Sequence, residues 1–200
     1  MLAYLFWHRP RKGVAADSYE QDQLAFHRSL CRKPPFGFLG SALFRLPDVP
    51  WLAPSGPGDG YEDWYLLEDF AALGVLNEAA VGRGHGSVHA RAARRVGEGA
   101  GGLYGLHEGN RARLAEDSLG PALVAVWVAR APGSAELALG SLLADGADPE
   151  RASLWRRRLV LGPAPEFCLL ADHVPAGTAS GRLPQGWSAQ AVSRESLWQG

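Results

Sequence analysis

The sequence predicts an α+β protein in which one strand–helix pattern is used twice, the second time with less helix. Three observations predict it. Residues Tyr61 to Ala80, YEDWYLLEDFAALGVLNEAA, run from an aromatic strand directly into a helix. The first half of the chain orders as strand, helix, strand, strand, helix, strand. From residue 122 onward two stretches echo the first strand and the Tyr61–Asp69 strand.

The Tyr61–Asp69 stretch has apolar residues on both parities, which predicts a strand covered on both faces. Asp69 stands where an N-cap belongs, able to accept from free amides of the first turn. Phe70, Leu73, Leu76 and Ala80 then form one apolar stripe. Upstream, Leu2–His8 reads as a strand ended by Arg9-Pro10. Asp17-Ser18-Tyr19-Glu20 reads as a capping box with Asp17 as the cap. The helix it opens carries Tyr19, Gln23, Phe26 and Leu30 on a stripe with His27 at the margin, and Lys33-Pro34-Pro35 stops it. Phe36–Leu46 is expected to be a strand, with Gly37 and Gly40 marking a bulge or close approach. Pro47–Gly60 is expected to be a surface loop. Ser87–Val96 is read as helical, GEGAGG at Gly97–Gly102 as a loop, and Gly101–His107 as a short strand.

Residues 110–121 read as a linker between a first unit, 1–109, and a second, 122–200. ALVAVWVAR at Ala122–Arg130 resembles the first strand, with Trp127 in the place of Trp7. Ser134–Ala144 is expected to be a helix, and Ser153–Leu161 with Pro165–Asp172 a hairpin. PEFCLLAD sets its two leucines and Asp172 against the leucines and Asp69 of EDWYLLED. His173-Val174-Pro175-Ala176-Gly177 follows, so the second long helix is reduced, and Trp187–Trp198 supplies a last strand.

The strand–helix order is the ferredoxin-like split βαβ arrangement. Two such units in one chain resemble the dimeric α/β-barrel superfamily, in which ferredoxin-like units pack sheet to sheet and enclose a pocket. FHRSL at Phe26–Leu30 is similar to the first helix of the EthD-like branch, where an aromatic is followed closely by a histidine. The resemblance implies a pseudodimer within one chain. The superfamily includes cofactor-free monooxygenases, lactone isomerases, polyketide cyclases and haem enzymes, so fold alone chooses no chemistry.

Composition narrows the classes. A net charge of −1 and a pI near 6.6 give no electrostatic case for nucleic acid or an anionic membrane. Cys31 and Cys168 are single and in apolar surroundings, which suits a reduced, cytoplasmic chain. MLAYLFWHRPRK is apolar and then basic, the reverse of a signal peptide. The expected partner is a small molecule, with a homodimer conceivable.

His27 is the first candidate for chemistry: at the edge of an apolar stripe it can reach a sheet-lined pocket as general base. The resemblance to EthD-like enzymes gives it the proton-abstracting role. Its alternative is a part-exposed helix histidine beside Arg28 with no task. His8, on the parity of Tyr4 and Phe6, is the second acid/base if that face lines the barrel, or else a strand-end histidine with one neighbour. Trp7, Trp64, Tyr65 and Trp127 read as core or as walls of a substrate pocket. Arg157, on the side of Trp155 and Leu159, needs an anionic partner from the protein or from a substrate carboxylate. His85 and His89 have the four-residue spacing of metal ligands, but flanking glycines and the want of a nearby carboxylate speak against a metal. Haem on His89 or His107 is the alternative to a protein without cofactor. Glu62, Asp63, Glu68 and Asp69 read as a polar strand edge with a cap. The expected function is a histidine-based enzyme acting on an aromatic, enolisable or polyketide-like compound, as isomerase, cyclase or cofactor-free monooxygenase. A non-catalytic ligand- or haem-binding protein is the alternative.

Overall fold

A computed structural model describes residues 1–49, 51–52, 60–82, 84–117, 119, 124–134, 138–143, 148–159, 165–178 and 183–200. The first half runs β1 (Leu2–Pro10), α1 (Ala16–Arg32), β2 (Phe38–Leu46), β3 (Gly60–Leu67), α2 (Phe70–Val81), α3 (Gly86–Arg95) and β4 (Val96–Gly109). The second runs α4 (Arg111–Asp117), β5 (Val124–Arg130), α5 (Leu139–Leu142), β6 (Ser153–Leu159), β7 (Phe167–Ala171), a 3-10 turn at Ala176–Thr178, β8 (Trp187–Val192) and β9 (Glu195–Gln199).

The nine strands among the described residues join one sheet in the order β8-β5-β7-β6-β4-β1-β3-β2-β9, and every described pairing is antiparallel. The order β4-β1-β3-β2 is that of a ferredoxin-like unit, and β8-β5-β7-β6 repeats it with four later strands. The fold is therefore α+β, two ferredoxin-like units packed as in a dimeric α/β barrel, with β4 pairing β6 at the join. The second unit keeps little helix: α5 and one 3-10 turn among the described residues. Its expected helix over Ser134–Ala144 lies partly outside the described residues, as do parts of the Pro47–Gly60 loop and of the 110–121 segment, within which α4 appears.

Two residues, Ser193 and Arg194, separate β8 from β9, yet these strands occupy opposite edges of the sheet. A link that short spans only about 10 Å, so the sheet has to curl until its edges nearly meet. Inside the curl the two units share one core. Ala3, Leu5 and Trp7 of β1, Phe44 of β2 and Trp64 of β3 pack with Trp127, Trp155 and Cys168. Trp7 meets Trp127 edge-on at 5.3 Å between ring centroids, and Trp51 folds over both at 5.1 and 4.8 Å. On the outer face of the first unit, Leu2, Tyr65, Leu67 and Leu103 pack under Phe26 and Leu30 of α1 and Leu76 and Ala80 of α2.

Local chemistry accounts for most of the elements. Every residue of β3 is buried, as its two-faced apolar content predicts. Asp69 Oδ1 accepts from the Ala72 amide at 3.0 Å and caps α2. The bulge expected in β2 falls between Phe38 and Gly40. Three details differ. The N-cap of α1 is Ala15 with no side-chain cap, because the helix starts one residue before Asp17. Phe70 is 62% exposed, since the buried stripe of α2 is Ala72, Leu76 and Ala80. The glycine run is strand, not loop: β4 begins at Val96, and its small residues leave room for the rings of β1. A Cβ on Gly99 would meet the Phe6 ring, and one on Gly101 would meet Tyr4.

The echo between β3 and β7 does not survive as a register. Leu66 lies inside the curl, but Leu169, set opposite it by sequence, lies on the outer face with Phe167 and Val126. Side chains alternate with period 2, so an odd offset reverses every one. Trp7 and Trp127, by contrast, share the inner face. Trp187–Trp198 forms two strands on opposite edges rather than one.

Candidate active site

The alternation that sends Glu62, Trp64 and Leu66 into the curl sends Tyr61, Asp63 and Tyr65 towards the helices. In β1 the same alternation puts Tyr4 and His8 on the helix side, and antiparallel pairing sets Phe6 opposite Asp63 and His8 opposite Tyr61. Asp63 is 2% exposed. His27 Nε2, from α1, lies 3.2 Å from its Oδ1, and His8 Nε2 lies 3.2 Å from its Oδ2. The His8 contact is off the line of a good hydrogen bond. The Tyr65 hydroxyl donates to Oδ2 at 3.0 Å.

The outer nitrogens of both imidazoles have partners as well. His8 Nδ1 meets the Tyr19 hydroxyl, and His27 Nδ1 lies 2.8 Å from Ser41 Oγ. With Nε2–H on each histidine turned to Asp63, Tyr19 and Ser41 donate to the two Nδ1 atoms, and of these groups only the His8 Nε2–H lacks a well-aligned acceptor. Rings hold the set in place. His27 lies flat on Tyr65, and His8 is stacked between Phe6 and Tyr61. Burial alone would push the Asp63 carboxyl up; His8 and His27, by charge and hydrogen bond, outweigh it and hold the group below the usual carboxylate range. Burial, with the Asp63 charge, pushes Tyr65 well up and Tyr4 up, so both remain hydroxyl donors.

A cavity of about 540 Å³ lies between this part of the sheet and the three helices. Tyr4, Phe6, Asp63 and Tyr65 form its floor, Phe26 and Leu76 its walls, and His89 of α3 borders it from above. No lysine or arginine is among the described lining residues. His8 and His27 do not border the cavity: both are fully buried and reach it only through Asp63.

The candidate residues thus divide. His8, His27 and Tyr65 converge on one carboxylate. Trp7, Trp64 and Trp127 lie on the other side of the sheet, in the core of the curl, away from this cavity. Arg157 is part-buried on the inner-face parity of β6, paired with Tyr104 in register. The carboxylates read as a strand edge are the largest surprise. Asp63 is the hub of the site. Glu62 is buried inside the curl, accepting from Trp7 Nε1 at 2.8 Å and Trp64 Nε1 at 2.7 Å, with Arg194 Nη1 at 3.5 Å. An acid flanked by buried residues on both parities of a doubly covered strand has no solvent to face, and that signal was present in YEDWYLL. Tyr19 and Ser41 carried no such signal.

His85 and His89 do not converge as metal ligands. His85 bonds Ser29 at 2.7 Å and the Lys33 carbonyl at 3.2 Å, while His89 packs on Phe26. His107 lies beside Glu108 and Phe167, outside the cavity lining. His89 alone could offer haem an axial nitrogen, but among the described lining residues no cation stands ready for two propionates.

No family model matches the sequence, and no curated protein does. Solved structures do. A Fusobacterium nucleatum protein whose monooxygenase name is provisional superposes with a TM-score of 0.58 at 9% identity, over 99% of this chain and 93% of that one. An anthrone oxidase-like protein superposes with a TM-score of 0.56 at 10% identity, over 100% of this chain and 92% of that one. At these identities the likeness shows the fold, and the fold agrees with the curled, paired units described above. No described helix is long and apolar enough to cross a membrane.

Proposed function

We propose that the protein is a small-molecule enzyme that takes a proton from an enolisable, polycyclic aromatic compound, with Asp63, His8 and His27 as one acid–base unit. The observation that supports this is an ionised carboxylate on the floor of an apolar cavity, backed by two fully buried histidines. Asp63 alone is too acidic to be a strong base. Held in place by two imidazoles and a phenol, it suits a ligand whose own anion is delocalised and stabilised, as an enolate on an aromatic system is. The ligand's C–H or O–H is delivered to Asp63, which takes the proton; the Nε2–H groups of His8 and His27 and the Tyr65 hydroxyl orient its two oxygens, and Tyr4 offers a hydroxyl donor near the developing oxyanion.

The two similar structures carry oxygenase and oxidase names, which favours the monooxygenase form of this reading over the isomerase and cyclase forms. For an anthrone-type compound the balanced change is replacement of a ring CH₂ by C=O, with one O₂ consumed and one water released. The repeated strand order also supports reading the chain as a tandem repeat, and FHRSL in α1 supports the EthD-like branch, since its histidine is His27.

Aerobic incubation with anthrone, followed by anthraquinone absorbance and oxygen uptake, tests the proposal. Turnover is expected, falling by roughly 10²-fold or more in Asp63→Asn and in His27→Ala. If polycyclic ketones and phenols neither bind nor turn over, the reading is wrong. Binding without turnover would favour the second reading, a ligand-binding protein of this fold, which the complete burial of His8 and His27 supports.

A further inference from the structure

The floor of the cavity handles the proton; its upper side carries a second polar group without an assigned task. α3 brings His89 to the cavity, half-buried, with the ring edge against Phe26 at 5.1 Å. Among the described residues neither ring nitrogen has a hydrogen-bond partner; the residue's bond to His85 is a backbone one. Desolvation lowers the pKa of this imidazole, favouring the neutral form with one donor and one acceptor nitrogen.

The rings between the two polar ends set the geometry. Tyr65, which holds Asp63, lies 6.2 Å from Phe26, and Phe26 lies 5.1 Å from His89. Contacts thus run from Asp63 through Tyr65 and Phe26 to His89, with Leu73 and Leu76 from α2 beside them and Gln23 and Asn77 as the other polar lining residues. No described lining residue carries a positive side chain to meet a carboxylate, sulfonate or phosphate, while Asp63 repels one.

We propose that His89 holds an oxygen of the ligand at the end remote from Asp63. The site then selects uncharged, flat aromatic compounds bearing oxygen functions at both ends. This rests on the reading of the cavity as a ligand site given above, and it adds a specificity-determining residue and a charge rule to it. A ligand with a single oxygen satisfies Asp63 and leaves the His89 end unused. One with a second oxygen uses both.

Fluorescence titration of the full chain at neutral pH with three unreactive probes tests this. 1,8-Dihydroxyanthraquinone carries oxygens at both ends, 1-naphthol carries one, and anthraquinone-2-sulfonate carries a fixed negative charge. His89→Leu should weaken dihydroxyanthraquinone about tenfold, the loss of one hydrogen bond. His89→Gln, which can still donate and accept, should stay within about threefold of the wild type. 1-Naphthol should bind all three proteins equally, and the sulfonate should bind the wild type at least about tenfold more weakly than the neutral anthraquinone. Equal binding of dihydroxyanthraquinone by wild type and His89→Leu overturns the inference. So does equal weakening of both neutral probes in His89→Leu, which would mean packing alone, or tight binding of the sulfonate. Should the wild type bind neither neutral probe, the ligand-site reading of the cavity fails and takes this inference with it.

Discussion

His27 lies on Tyr65 with ring centroids 5.2 Å apart and planes 1° from parallel, and each then reaches a different oxygen of Asp63. The stack fixes the angle at which an imidazole from α1 and a phenol from β3 meet one carboxylate. A site assembled from a helix and two strands is thus held by ring contacts as much as by hydrogen bonds.

Asp63→Asn is expected to destabilise the protein by about 2–4 kcal/mol at neutral pH, because it leaves buried donors without their acceptor. The native carboxyl is more acidic than an unfolded aspartate, whose pKa is about 3.9. Its contribution is complete above that value and is lost as the pH falls below it towards the native pKa. Urea melts at several pH values should show the gap between wild type and variant narrowing below about pH 4. A gap that stays constant to pH 3 contradicts the assignment.

Inside the curl, Arg194 and Glu62 are 4% and 1% exposed, and the guanidinium also lies over the Phe44 ring at 4.1 Å. Burial pushes the Glu62 carboxyl up, against the pull of Arg194 and the two indole donors. Arg194→Met should cost about 3–5 kcal/mol by leaving a buried acid unpaired, and adding Glu62→Gln should recover part of that loss. Equilibrium unfolding of the single and double variants measures the coupling. Additive losses would mean the two groups do not depend on each other.

The Cys168 thiol is fully buried and pushed well above its ordinary pKa, first by desolvation and then by the Glu62 charge. Cys31 is part-exposed. A thiol reagent should modify Cys31 alone in the native state and both cysteines after denaturation. Fast native labelling of Cys168, read by mass spectrometry of peptides, would contradict the packing described.

Gly99→Val is expected to cost about 1–3 kcal/mol as an overpacked strand position. Its more telling effect is on binding. A Cβ on Gly99 would approach Phe6 Cζ to 2.4 Å, and Phe6 is part of the cavity floor. The displaced ring should weaken dihydroxyanthraquinone binding more than Gly140→Val, at a position with open space around it and no positive φ. Equal affinities for the two variants would show that Phe6 does not shape the cavity.

Much of this was legible from residue order. The Tyr61–Ala80 stretch announces β3, its cap and α2, and the first-half order gives the sheet that sets β1 beside β3 and β4. The pairing of His8 and His27 in one site follows once α1 covers that sheet. Asp63 does not stand out in the sequence because interleaved acids on a strand resemble a solvent edge, and only the helices above and the second unit below make that edge interior. Trp7, Trp64 and Trp127 read from sequence as core or as pocket wall, and the structure takes the core reading. Large indoles fill the interior of the curl, and the described cavity lies under the helices instead. The glycine run reads as loop from sequence because its strand character is supplied by the rings of β1 that cover it. The β3–β7 echo failed because two leucines carry no parity.

Arg45 reaches across 150 positions of sequence to Glu195, and the pairing of β2 with β9 closes a ring whose other end is β8. Neither half can finish its own perimeter alone: the rim of the first is supplied by the strand that leaves the second. Pairings of such sequence separation carry a large loop-closure entropy and form slowly. Refolding should therefore proceed in two kinetic stages, local hairpins and helices first and the clasp later. During the interval β2 presents a bare ladder to any neighbouring chain. The purse is drawn shut by its last string, and dilution during refolding should matter most before that string is pulled.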